Sequence, residues 1–140
     1  MKLGIGSDAK GKLIASVPLF AGLSKKELEQ VSAIADELDF QPDKVLIREG
    51  DPGREFFILV DGTADVTRGG ETIATRTPGD FFGEIALMCD RPRVATVTTT
   101  SPSRALVITD RDFRELVKRS PDIALKVLQA VGERLPADAA

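Results

Sequence analysis

Residues 79–97 carry the side chains of this chain that are best suited to chemistry: Gly79-Asp80-Phe81-Phe82-Gly83-Glu84-Ile85-Ala86-Leu87-Met88-Cys89-Asp90-Arg91-Pro92-Arg93-Val94-Ala95-Thr96-Val97. The middle, residues 84–88, is competent for little more than one turn of helix. Such a turn is unstable alone, so its insertion between strand-like segments needs a reason. A short helix led by Gly83 offers free backbone N–H groups, which together with the helix dipole favour an anion. Glycine has no side chain to block close backbone approach. Arg93 follows with a planar fork of N–H donors and a permanent charge, matched to phosphate oxygens. Glu84 is an acceptor that suits a sugar hydroxyl rather than a phosphate. One cassette thus combines an anion cradle, a phosphate fork and a hydroxyl acceptor.

The elements that must position this cassette read as helix, then strands, then helix. Leu13 and Ile14 lie on a short helix that stops at Pro18. Ser24 with Glu27 forms a capping box, after which Leu28, Val31, Ala35 and Leu38 recur at helical spacing, so residues 1–38 are expected to be helical. Residues 39–108 read as β: strands at 45–47, 56–60, 63–67, 72–76, 94–99 and 105–108 are separated by turn sequences such as Asp61-Gly62, Gly69-Gly70 and Pro78-Gly79. Short strands with glycine-rich turns predict a jelly roll. Thr109 with Asp112 resembles an N-cap pair, and Ser120-Pro121 is a second helix start. Ala124, Val127, Leu128, Val131 and Leu135 form one apolar stripe on the last helix, which Pro136 ends. The expected architecture is mainly β with flanking helices: an eight-stranded β-jelly-roll barrel between N-terminal helices and two C-terminal helices at 109–135. Phe81 and Phe82 are expected in the barrel core, as are Leu87 and Met88.

Composition narrows the chemistry. The 140 residues, 42% hydrophobic and 29% charged, are enough for one domain over 1–140. A formal net charge of -3 gives no general attraction to nucleic acid or anionic membrane. The sequence contains no histidine, which removes Ser-His-Asp and Cys-His hydrolysis, His-ligated zinc and histidine acid–base catalysis. The single Cys89 allows no internal disulfide and reads as a small, partly buried apolar residue. Residues 1–10 carry no apolar signal region, and no apolar run reaches membrane-spanning length. These features predict a cytoplasmic protein with no metal, no membrane contact and no catalytic activity of its own.

The double motif Phe82-Gly83-Glu84-Ile85-Ala86-Leu87 with Pro92-Arg93-Val94-Ala95-Thr96-Val97 resembles the phosphate-binding cassette (residues 82–96 here) of cyclic nucleotide-binding domains. That module serves the regulatory subunits of cyclic-AMP-dependent protein kinase, cyclic-nucleotide-gated channels and the catabolite activator protein. Glu49-Gly50-Asp51, Phe56-Phe57-Ile58-Leu59, Gly62, Gly79 and Leu19-Phe20 extend the resemblance over nearly the whole chain. It implies that Glu84, with the Gly83 backbone, holds the ribose 2′-hydroxyl. Arg93 would pair with the cyclic phosphate beside backbone N–H groups near Ile85 and Ala86. Phe82, Val94 and Ala95 would lie against the ligand, and Leu87 and Met88 would sense cassette movement. Relatives that prefer cyclic GMP often place Ser or Thr directly after the cassette arginine; Val94 stands there here, so cyclic AMP is the expected ligand. The helix-turn-helix of the catabolite activator type has no counterpart in residues 136–140, so no DNA contact is expected. The expected partners are the nucleotide and, through the C-terminal helices, a protein or a second copy. A protein-interaction module on the same fold that needs no ligand is the alternative.

Overall fold

In the computed structural model, which describes residues 7–134, α1 (Ser7–Ser16), a 3-10 turn at Pro18–Phe20 and α2 (Lys25–Ile34) precede the strands. Then come β1 (Asp36–Phe40), β2 (Val45–Ile47), β3 (Glu55–Asp61), β4 (Ala64–Arg68), β5 (Glu71–Arg76) and β6 (Phe81–Phe82). α3 (Glu84–Cys89), β7 (Thr96–Thr99), β8 (Ser103–Thr109), α4 (Asp110–Arg119) and α5 (Pro121–Glu133) follow. The helix starts read from the sequence are made by the expected bonds. Ser24 Oγ accepts from the Glu27 N–H at 3.1 Å while the Glu27 carboxylate accepts from the Ser24 N–H at 3.0 Å. Thr109 and Ser120 accept from the N–H groups of Asp112 and Ile123.

The strands form two antiparallel sheets of four, ordered β1-β8-β3-β6 and β2-β7-β4-β5, the jelly-roll order. The expectation of a barrel is corrected here: the sheets face each other without closing. Closure requires edge strands that pair across the gap, whereas β6 has two residues and β2 three with a register shift. The first sheet is covered on both faces, which explains why residues 56–60 are apolar without alternation. Phe57 and Leu59 of β3 face the second sheet, with Ala105 and Val107 of β8. Phe56 and Ile58, with Leu106 and Ile108, face the helices, where Ile14, Phe20, Val31, Phe113, Ile123 and Val127 complete a second core.

Two helical readings are overturned. Leu38 lies not on a helix but in β1, opposite Ala105, and is 44% exposed. Its spacing from Val31 and Ala35 is helical, but α2 ends at Ile34 and the chain turns extended at Ala35 to pair with β8. On α5 the buried stripe runs through Ile123 and Val127, leaving Leu128 63% exposed. Leu135 and Pro136 lie outside the described residues. Among the described residues, no helix is long and apolar enough to cross a membrane.

Candidate ligand cleft

The cassette leaves the first sheet through β6, whose Phe82 and Phe81 pair with Phe57 and Ile58 of β3. Gly83 then takes a left-handed backbone (φ 94°), reserved in practice for glycine, and redirects the chain into α3. Asp90 ends that helix in the same conformation (φ 49°). A six-residue helix needs outside support. Leu87 is buried beneath it, and the Arg114 Nε of α4 donates to the Leu87 carbonyl at 3.2 Å. Met88 and Cys89 at its far end are exposed, against the expectation that Met88 packs in the core and Cys89 is partly buried. Glu84, Ala86 and Leu87 are the residues of this short helix that are buried, and its last two residues point away from the core.

Gly53 in the turn before β3 supports the same helix by being small. A Cβ there would lie 2.6 Å from the Ala86 Cβ and 3.2 Å from Leu87 Cδ2. Gly53→Ala is therefore expected to displace the cassette helix and lower stability by about 1–3 kcal/mol. A urea unfolding midpoint equal to the parent's would refute this close-approach account.

Arg93 is held at both ends. Its backbone joins the turn before β3: Gly50 N–H donates to Arg93 O at 2.9 Å, and Arg93 N–H donates to Asp51 O at 2.8 Å. These bonds hold Arg93 outside the ladder, so β7 starts at Thr96 and not at the expected residue 94. The Arg93 side chain is buried, with Nη1 donating to Gly83 O at 2.8 Å and Nη2 to Glu55 O at 2.6 Å. Burial pushes the guanidinium below its ordinary pKa, and Glu55 and then Glu84 oppose this by their charge. The fork uses part of its donor set on the backbone and stays charged.

All eight residues expected at the site, Phe82, Gly83, Glu84, Ile85, Ala86, Arg93, Val94 and Ala95, line one cleft of about 280 Å³ whose other lining comes from the second sheet and from Arg134 at the end of α5. That is near the lower end of the size range for small-molecule sites, roughly 300–1,000 Å³. Glu84 is buried on the cassette, and Val66, Ala74 and Val97 supply apolar wall.

Three cationic lining residues were not anticipated from the sequence: Arg68, Arg76 and Arg134. Arg68 donates from Nε to Val94 O at 3.0 Å. The Arg76 Nε is buried without a hydrogen-bond partner, and burial, then the charge of Arg134, lowers that guanidinium's pKa. Arg134, the C-cap of α5, donates to Glu84 Oε1 and to the Phe81 carbonyl, with its guanidinium 4.9 Å from the Phe81 ring centroid. A signal for Arg134 was present: continuing the stripe from Ile123 and Val127 by helical steps reaches Ala130 and then position 134. For Arg76, the strand period from inward Ala74 reaches the same face two residues on, once the pairing of β5 with β4 is known.

On this jelly-roll sandwich a buried arginine and a buried glutamate of one cassette line a single cleft, a donor fork beside a carboxylate acceptor. The model of the cyclic nucleotide-binding domain family matches residues 37–120, more than half of the chain, and the protein belongs to that family. A cAMP-dependent protein kinase regulatory subunit of Hypocrea atroviridis is 36% identical over 104 residues, covering 74% of this chain and 22% of the relative. The chain spans about a fifth to a third of the length of curated relatives it matches. Two solved structures share the fold at a TM-score of 0.80 each. One is the regulatory domain of Toxoplasma gondii PKA with cAMP (22% identity, 89% of this chain and 49% of that one). The other is the regulatory subunit of a cAMP-independent protein kinase A from Trypanosoma brucei (21% identity, 91% and 46%).

Proposed function

We propose that this chain binds a cyclic nucleotide, cyclic AMP in preference to cyclic GMP, and acts as a regulatory module without catalysis. The observation that carries the reading is the convergence of buried Arg93 and buried Glu84 on one cleft within a family-matched cassette. Arg93 meets the cyclic phosphate with the donors it does not spend on Gly83 and Glu55. The backbone N–H groups near Ile85 and Ala86 assist it. Glu84 accepts from the ribose 2′-hydroxyl beside the Gly83 backbone, and Phe82, Val94 and Ala95 flank the ligand. Val94 has no hydroxyl to meet the guanine amino group, and an unpaired buried donor costs about 1–3 kcal/mol. The chain's 36% identity to a kinase regulatory subunit supports a regulatory role.

Binding shifts the population of cassette and helix positions. The ties from Arg114 to Leu87 O and from Arg134 to Glu84 give α4 and α5 direct purchase on the cassette. The outer face of α5, with Leu125 and Leu128 exposed, is what a partner protein or a second copy would meet.

A second reading keeps the fold as a protein-interaction module that needs no nucleotide. Two observations favour it. Both Nη atoms of Arg93 and the Oε1 of Glu84 already have a protein partner, and a cAMP-independent kinase subunit has the same fold at the same TM-score as a cAMP complex. Titration calorimetry with cyclic AMP and with cyclic GMP decides between the two. One-to-one binding, tighter for cyclic AMP, is the expected result. No heat with either, in folded and nucleotide-free protein, moves the assignment to the second reading.

A further inference from the structure

Among the described residues, four arginines and one carboxylate line the cleft: Arg68, Arg76, Arg93 and Arg134 against Glu84. The chain as a whole carries a formal net charge of -3, so this positive excess is local. A cyclic phosphate carries a single negative charge and does not balance it. The arginines differ in what they already hold. Arg93 donates to Gly83 O and Glu55 O, Arg134 to Glu84 and the Phe81 carbonyl, and Arg68 to Val94 O. Arg76 differs from them: its Nε is buried with no hydrogen-bond partner among the described residues. Two carboxylates act on it by their charge, Asp80 and Glu84, and both are engaged elsewhere. Asp80 accepts from the Thr77 N–H at 2.8 Å, and Glu84 accepts from Arg134. Arg134 adds a like charge to its surroundings. A buried donor left open by the protein costs free energy until an acceptor arrives, and a guanidinium bonds most strongly to an anionic one.

We propose that Arg76 is a second anion subsite in the cleft, apart from the Arg93 fork, and that it takes a phosphate-type oxyanion. The two arginines stand on different sheets. Arg93 is tied to β3 of the first sheet through Glu55 O, whereas Arg76 is the last residue of β5, the edge strand of the second, opposite the small side chain of Ala64. The size of the cleft restricts the occupant. At about 280 Å³ it is near the lower end of the range for small-molecule sites, roughly 300–1,000 Å³, and leaves no room for a second nucleotide beside the first. The occupant is therefore compact: a free phosphate bound beside the nucleotide, or a further phosphate on the same nucleotide. Both present the oxygens that a guanidinium fork matches. This goes beyond the cyclic nucleotide reading above, which gives Arg76 no role.

The test is calorimetry on the parent and on Arg76→Gln, in two arms at fixed ionic strength. In the first, inorganic phosphate is titrated into protein saturated with cyclic AMP, which reads a free anion. In the second, adenosine 3′,5′-bisphosphate is compared with adenosine 5′-monophosphate on unloaded protein, which reads a further phosphate on the nucleotide. The parent is expected to respond in at least one arm. Either phosphate binds the loaded protein, or the bisphosphate binds about tenfold or more tighter than the monophosphate, the value of a hydrogen bond to a charged group. Arg76→Gln, with a donor but no charge, should abolish that phosphate binding or bring that ratio toward unity. A parent that responds in neither arm, or a folded Arg76→Gln protein that responds as the parent does, overturns the proposal and spares the cyclic nucleotide reading. Should Arg76→Gln not fold, Arg76→Leu, which removes the open buried donor, takes its place, and a parental response there overturns the proposal in the same way. A parent that takes no cyclic AMP counts against the cyclic nucleotide reading instead, and the bisphosphate comparison then decides on Arg76 alone.

Discussion

Arg93→Ala is expected to lower the affinity for cyclic AMP by about 30- to 5,000-fold, equivalent to ~2–5 kcal/mol. The range follows from what the substitution leaves behind: a phosphate drawn into a cleft with its fork removed. Two further consequences come from the geometry. The carbonyls of Gly83 and Glu55 lose their donors, so β3 and the cassette are no longer tied through this side chain. Unfolding by urea should therefore show a loss of about 1 kcal/mol or more as well, the penalty for orphaned part-buried acceptors. Arg93→Lys separates the two roles. Lysine keeps the charge but cannot span Gly83 O, Glu55 O and a phosphate at once, so part of the affinity should return while the stability loss remains. An Arg93→Ala protein that binds cyclic AMP as tightly as the parent, by calorimetry, ends the phosphate assignment.

Phe56→Ala is expected to have the largest effect on stability, about 3–5 kcal/mol by urea unfolding. Its side chain is fully buried, on the face of β3 that meets the helices. The ring stacks on Phe113 of α4 at 4.3 Å between centroids and lies 5.5 Å from Phe81 of β6. These three rings join the strand that carries Glu55, the strand that leads into the cassette, and the helix that braces it. A loss of this size is a large fraction of the total stability of a small domain. A change below about 1 kcal/mol would mean that the site collapses around the deletion, and the three-ring account would fail.

The helices and strands legible in the sequence are those whose signals are local. Ser24 with Glu27, Thr109 with Asp112 and Ser120 with Pro121 start helices because a side chain within three residues satisfies a free N–H. The alternation of Ala64 and Val66 with polar neighbours marks a strand with one face to the core, as β4 has. The misreadings have a common cause. Leu38 fits a helical period, yet pairing with β8 decides its state. Leu128 fits the stripe of α5, yet the neighbours of that helix cover the face through Ile123 and Val127. Val94 and Ala95 fit a strand, yet the turn at 49–54 captures the Arg93 backbone first. In each case residues distant along the chain supply the deciding contact.

The same division runs through the site. By itself the sequence determined the cassette: a glycine free to turn left-handed, a glutamate directly after it and an arginine ten residues on are a local arrangement, and their types state their chemistry. Only the tertiary structure decided what surrounds it. The sandwich rather than a barrel, the Arg93 bond to Glu55, the Gly53 contact with Ala86 and the pairing of Arg134 with Glu84 all join segments far apart along the chain. Periodicity states which face of an element is buried, but not which element covers it. The partner of a buried charge is set by where the covering element ends, and that is settled when the sheets and helices pack.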